Sequence, residues 1–255
     1  MLSLPRFIGK ALARFLATPR PGAQTGTPTD PRKLLHSLRP GDVLLVEGST
    51  RISTAIKYLS QSTWSHAALF VGPRLGGVDE AGHAHLFVEA DIVQGVCKRS
   101  LAHYASYHTR ICRPLHLAEV DREALLAEVV GKLGSQYDMK NVFDLARYLL
   151  PIPPVPARWR RQMIALGSGD PTKAICSSLI AGAFQHIGYP VLPAITLQPG
   201  QDQRQRAAAR EIFHIRDSSL YTPRDFDVSP YFDIVKPTLA QGFDYRRIHW
   251  AAGDE

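Results

Sequence analysis

The stretch Ser62 to Gly72, STWSHAALFVG, sets a histidine at the mouth of a short run of small and apolar residues that stops at a glycine. That pattern reads as a strand. A lone histidine at a strand edge is ordinarily a polar end residue, so the meaning of His66 depends on what the chain brings beside it. A loop with Gly76 and Gly77 follows, and then a second strand, HAHLFVEADI, His83 to Ile92. A hairpin centred between Gly77 and Val78 would set His66 opposite Glu89, and a slip in register would change the pairing. A carboxylate within reach of an imidazole holds its tautomer and orientation, as a general base requires. The same register sets His85 opposite Phe70 and His83 opposite Gly72, away from His66, so no metal site is expected.

Working outward, LRPGDVLLVEG turns at Pro-Gly-Asp into a short apolar strand. RISTAIKYLSQ has helical spacing at Ile52, Ala55, Ile56 and Leu59. A further helix is expected from Asp121 to Leu133, with Asp121 as N-cap. GSQYDMKNVFDLARYLLP reads as a turn and a helix ended by PIPPVP; this Pro-rich run and the basic ARWRRQ after it suggest a surface insertion near 151–170. In CSSLIAGAFQHIG, Leu179, Ile180, Ala183, Phe184 and Ile187 form one stripe, closed by Gly188. Cys176 opens that helix, where free backbone N–H groups and the helix dipole favour a thiolate. A helix-start cysteine beside an imidazole is an activated nucleophile. Cys97 and Cys112 have no such context and are expected to be structural. The tail YTPRDFDVSPYFDIV reads as a solvated turn before a strand.

The composition bounds the function. The chain has 255 residues, 45% of them hydrophobic and 21% charged, enough for a sizeable core in one domain with extensions. The net charge of +7 favours anionic surfaces, but no basic run is interleaved with aromatics, so nucleic acid is not expected as a partner. The three cysteines form no paired zinc-ligand spacing and no disulfide framework, which fits a reducing, cytoplasmic location. No apolar run approaches the roughly 20 residues needed to span a bilayer. At the N-terminus, Arg6, Lys10 and Arg14 interrupt what could pass for a secretion signal. Residues 1–20 instead read as an amphipathic basic helix, expected to pack on its own domain or a second copy, or to lie peripherally on an anionic inner-membrane surface. Residues 21–37 read as a linker, 38–245 as the catalytic domain and 246–255 as a tail.

RPGDVLLV, WSHAALFVG, FVEAD, GSQYD, CSSLIAGAF and YTPRDFDVSPYFDIV, in this order, resemble the circularly permuted papain-like amidases of the YiiX and YaeF type, a branch of the NlpC superfamily of cysteine hydrolases. The resemblance runs from about Leu38 to Val235. It implies an α+β fold, an antiparallel sheet or partial barrel packed against helices, with the histidine preceding the cysteine. It carries over Cys176 as nucleophile, His66 as base and Glu89 as the group that orients it, with the backbone N–H of Cys176 or Ser177 at the oxyanion. Tyr137, beside Asp138, matches a motif near the cleft of related enzymes and is an expected substrate contact, with Trp64 and Ser178. Ser178 is a departure, since the family commonly carries an acid there, and the substrate is expected to differ accordingly. The implied activity is cleavage of an amide or other acyl bond through an acyl-enzyme, with no cofactor, on a small acyl, peptide or lipid substrate. Two alternatives stand: a lipid-acting thiol acyltransferase or phospholipase, similar to the lecithin:retinol acyltransferase branch, and a binding module with an unreactive cysteine.

Overall fold

In the computed structural model, which describes residues 14–20, 26–135, 175–198, 210–214, 217–240 and 244–247, the His66 strand lies inside an open antiparallel sheet. The strands are β1 (Val43–Val46), β2 (His66–Phe70), β3 (His85–Asp91), β4 (Gly95–Ser100), β5 (Thr109–Pro114), β6 (Ala194–Gln198), β7 (Arg210–His214) and β8 (Phe232–Val235). Six of them form the main sheet in the order β4-β3-β2-β1-β5-β8, and β6 and β7 pair separately. Every pairing is antiparallel. Among the described residues, the helices that concern the fold are α1 (Pro31–Ser37), α2 (Arg51–Ser60), α3 (Glu119–Gly131), α4 (Ile175–His186), α5 (Pro223–Asp227) and α6 (Pro237–Ala240). The fold is therefore α+β, and of the two expected forms the sheet is an open one.

Both faces of the central strands are covered, which is why VLLV of β1 is apolar at every position and buried throughout. On one face, Val43, Leu45, Ala67, Leu69 and Val88 pack against Leu125, Leu126 and Val129 of α3 and Ile180, Ala183 and Phe184 of α4. On the other, Leu44, Val46, Ala68, Phe70 and Phe87 meet Leu34 of α1 and Tyr104. Period-two alternation sends successive side chains to opposite faces, so each strand feeds both clusters. The expected stripe on α4 is observed, and Gly188, just beyond the helix, takes φ +69°.

Several expectations change. Leu69 pairs with Val88 and Phe70 with Phe87, a register two residues from the assumed one, so His85 does not face Phe70. His83 precedes β3 and bonds Asp79 in the connecting loop. Helix α3 starts at Glu119 with Ala118 as its cap, and Asp121 sits in its first turn instead of capping it. Part of the expected linker is structured: Asp30 caps α1 through the N–H groups of Arg32 and Lys33, and Leu34 is buried in the core. The acidic tail stretch is not a solvated turn but α5, closed by a Thr222/Asp225 capping box; its Phe226 is fully buried. The described end of the N-terminal segment packs on the body, with Leu16 in the main core. Tyr137, Asp138, the 151–170 insertion and most of the expected N-terminal helix lie outside the described residues. Among the described residues no helix is long and apolar enough to cross a membrane.

Candidate active site

His66 and Glu89 meet although the assumed register is displaced. Continued along β2 and β3, the observed pairing sets Glu89 opposite Ala68, one diagonal step from His66. A two-residue shift keeps each side chain on its face, and diagonal cross-strand neighbours lie within reach of long side chains. The His66 Nε2 to Glu89 Oε2 distance is 2.6 Å. Glu89, only 2% exposed, also accepts from the Tyr104 hydroxyl at Oε2, 2.6 Å away, and from Arg99 Nε at Oε1, 2.7 Å away. Burial alone would raise its pKa; the His66 and Arg99 charges and the three donors instead hold the carboxyl far below the usual carboxylate range. The Tyr104 hydroxyl is pushed well above its ordinary value by burial and by Glu89, so it stays a donor.

Cys176 approaches from the first turn of α4. Its thiol comes within interaction range of the His66 ring and of the backbone N–H of Ala67. With Nε2 committed to Glu89, Nδ1 is the ring nitrogen left for the thiol. Burial raises the thiol pKa, but the adjacent imidazole and the Ala67 N–H outweigh it, leaving Cys176 below the ordinary thiol value. His66 moves the other way: burial opposes its charge, and the Cys176 and Glu89 anions carry it well above the usual imidazole value. A quarter of the His66 side chain remains exposed (26%). The arrangement thus favours a thiolate–imidazolium pair backed by a carboxylate. The other cysteines differ: burial pushes Cys97 up to about 12 and Cys112 higher still.

A cavity of about 260 Å³ opens over this line. His66, Glu89 and Cys176 form its reactive wall; Ile52 and Ile56 of α2, with Val46, Ala90 and Ile92, give it apolar sides; Asp91, His103 and Tyr107 add polar groups. Gly48 lets α2 approach, because a Cβ there would run into the hydroxyls of Ser53 and Ser65, which line the same cavity.

The remaining expected residues divide. Ser177 follows the thiol, but its side chain is buried and donates to the Tyr221 carbonyl at 2.8 Å, tying α4 to the segment before α5. Ser178 is half-buried and outside the cavity lining. Trp64 is 2% exposed and also outside it: its indole donates to Asp227 Oδ2 at 3.1 Å and lies under the Arg110 guanidinium. The sequence reading missed Arg99 and Tyr104. Arg99 had a signal: Asp91 accepts from the Val93 and Gln94 N–H groups, making a tight turn in which alternation sets Arg99 on the Glu89 face. Tyr104 lies in a 3-10 turn, Leu101–Tyr104, with no periodicity to flag it. Among the described residues, no three His, Cys, Asp or Glu side chains gather in a metal-holding arrangement.

No family model and no curated protein matches the chain. Among solved structures, it is similar to the metalloprotein YiiX of Escherichia coli O157:H7, with 15% identity and a TM-score of 0.45, over 78% of this chain and 96% of that one.

Proposed function

We propose that the protein is a cysteine-dependent acyl hydrolase with a permuted papain-like fold, in which Cys176 is the nucleophile, His66 the acid and base, and Glu89 the residue that orients His66. The observation that carries this reading is the meeting of the Cys176 thiol, the His66 ring and the buried Glu89, 2.6 Å from His66 Nε2, on one wall of one cavity. The thiolate attacks an acyl carbonyl carbon, and the negative charge moves to the oxygen. First-turn N–H groups of a helix have no intrahelical acceptor, so those of Cys176 and Ser177 suit the oxyanion, each donor being worth about 3 kcal/mol of barrier. His66 gives its proton to the departing amine or alcohol as the carbon–heteroatom bond breaks, leaving a thioester on Cys176. It then takes a proton from water as that water attacks the thioester, and as the carbon–sulfur bond breaks the acid is released and the thiolate–imidazolium pair restored.

The apolar sides of the cavity favour a substrate with an aliphatic acyl portion, so phospholipids belong in the test beside amides. Acyl amides, thioesters and phospholipids are offered to the wild type and to Cys176→Ala. Turnover of at least one class, lost in the variant at an unchanged melting temperature, is the expected result. Full activity in Cys176→Ala would refute the assignment. A thiol that fails to react with an electrophile at pH 6 would favour the binding module.

A further inference from the structure

The described end of the N-terminal segment is pinned on both sides of one small residue. Before it, Leu16 is 1% exposed and belongs to the main core. After it, the Thr18 carbonyl accepts from Arg51 N at 3.1 Å, Arg20 N donates to the Ser49 carbonyl at 2.9 Å, and Pro19 bridges Thr50 in antiparallel fashion. Arg51 adds a hydrogen bond from Nε to the Thr18 hydroxyl and stacks its guanidinium over Phe15. The residue between these anchors, Ala17, lines the same cavity as Cys176, Ile52 and Ile56.

A wall anchored by a buried leucine on one side and backbone pairing on the other cannot yield easily to a larger side chain; the added carbons must enter the cavity. The geometry points to Ala17 as the residue that fixes how large a substrate group fits against α2, with the N-terminal segment as a built wall of the cleft. This rests on Cys176 being the reacting atom, and it deepens that reading by naming a determinant of substrate size.

The test uses alkylation of Cys176, in which the thiolate displaces iodide from carbon and no acyl chemistry is needed. Rates with iodoacetamide and with N-hexyl iodoacetamide are measured by mass spectrometry on the full chain, for the wild type, Ala17→Leu and Ala17→Gly. The ratio of the hexyl rate to the iodoacetamide rate should fall about tenfold or more in Ala17→Leu and rise in Ala17→Gly, which keeps Leu16 and both backbone bonds. The same ratio in all three proteins would overturn the inference. A shifted ratio in a protein that turns over no acyl substrate would support the wall and count against hydrolysis alone.

Discussion

Replacing Glu89 with glutamine keeps the shape of the side chain and removes its charge, and the consequence for Cys176 follows from the three donors around it. Arg99 Nε–H still needs an acceptor, so the amide oxygen takes the Oε1 place and the amide N–H₂ faces His66 and Tyr104. Nε2 of His66 must then accept, its proton moves to Nδ1, and Nδ1–H points at the thiol: the wrong tautomer for withdrawing its proton. The imidazolium also loses an anion 2.6 Å away. An opposite charge at such range is worth about 1–3 pKa units, or about 1.4–4 kcal/mol. In the wild type, His66 titrates above and Cys176 below its ordinary value, so the ion pair is populated in the pH window between them. Glu89→Gln lowers the upper edge of that window by taking the anion from His66; it also relieves the weaker repulsion between Glu89 and the thiolate, but a thiol facing a neutral His66 must titrate without a cation beside it. The assay is the pH dependence of Cys176 alkylation by iodoacetamide from pH 4 to 10. The inflection should move up by about 1–3 units, and the rate at pH 6 should fall about 10- to 1000-fold. An inflection unchanged in Glu89→Gln would refute the electrostatic account of the site.

The same carboxylate links stability to acid. Its folded pKa is depressed, so its contribution is complete above about pH 4.3 and is lost as the pH falls through the folded value; below pH 4 the melting temperature of the wild type should drop more steeply than that of Glu89→Gln. Leu16→Ala should cost about 2–5 kcal/mol in denaturant unfolding, the penalty for emptying a core position, whereas a leucine on a helix free of the body would cost almost nothing. Trp64→Phe should lose about 1–3 kcal/mol through the unpaired Asp227 oxygen and leave KM unchanged; a raised KM at full stability would restore Trp64 as a substrate contact. At pH 8, iodoacetamide should modify Cys176 and leave Cys97 and Cys112 unmodified in the folded protein, since both are held as thiols; labelling of either before Cys176 would contradict this.

Much of the core and the line of candidate residues was legible because each rests on a local period. β1 and β2 announce themselves as apolar runs of strand length, and α4 by its stripe from Leu179 to Ile187. The parity of Glu89 relative to His66 survived an error of two residues because face depends only on odd or even spacing. What was not legible depends on contacts between distant segments. Trp64 has the size and position of a substrate contact, and only the arrival of α5, with Asp227, turns its indole away from the cavity. The acidic tail motif looked solvated because its fully buried Phe226 is flanked by aspartates. Leu16 could not be told from a membrane-facing leucine, since an amphipathic stripe does not say which apolar surface will cover it.

The sheet also explains why the histidine had to stand where STWSHAALFVG puts it. Helix α4 packs on the face formed by Ala67 and Leu69, while His66 shares parity with Ala68 and Phe70 on the opposite face, where Tyr104 and Arg99 hold Glu89. A thiol carried by α4 and an imidazole backed by Glu89 are therefore on opposite sides of a buried sheet. They can touch only past the end of the strand, and His66 is the first residue of β2. There the thiol comes within range of the His66 ring and of the Ala67 N–H. A histidine two residues further on, in place of Ala68, would keep the face and the carboxylate but be walled from α4 by the sheet itself. On the proposed reading the polar end residue and the base are the same residue, because the end of the strand is where the two faces of the sheet meet.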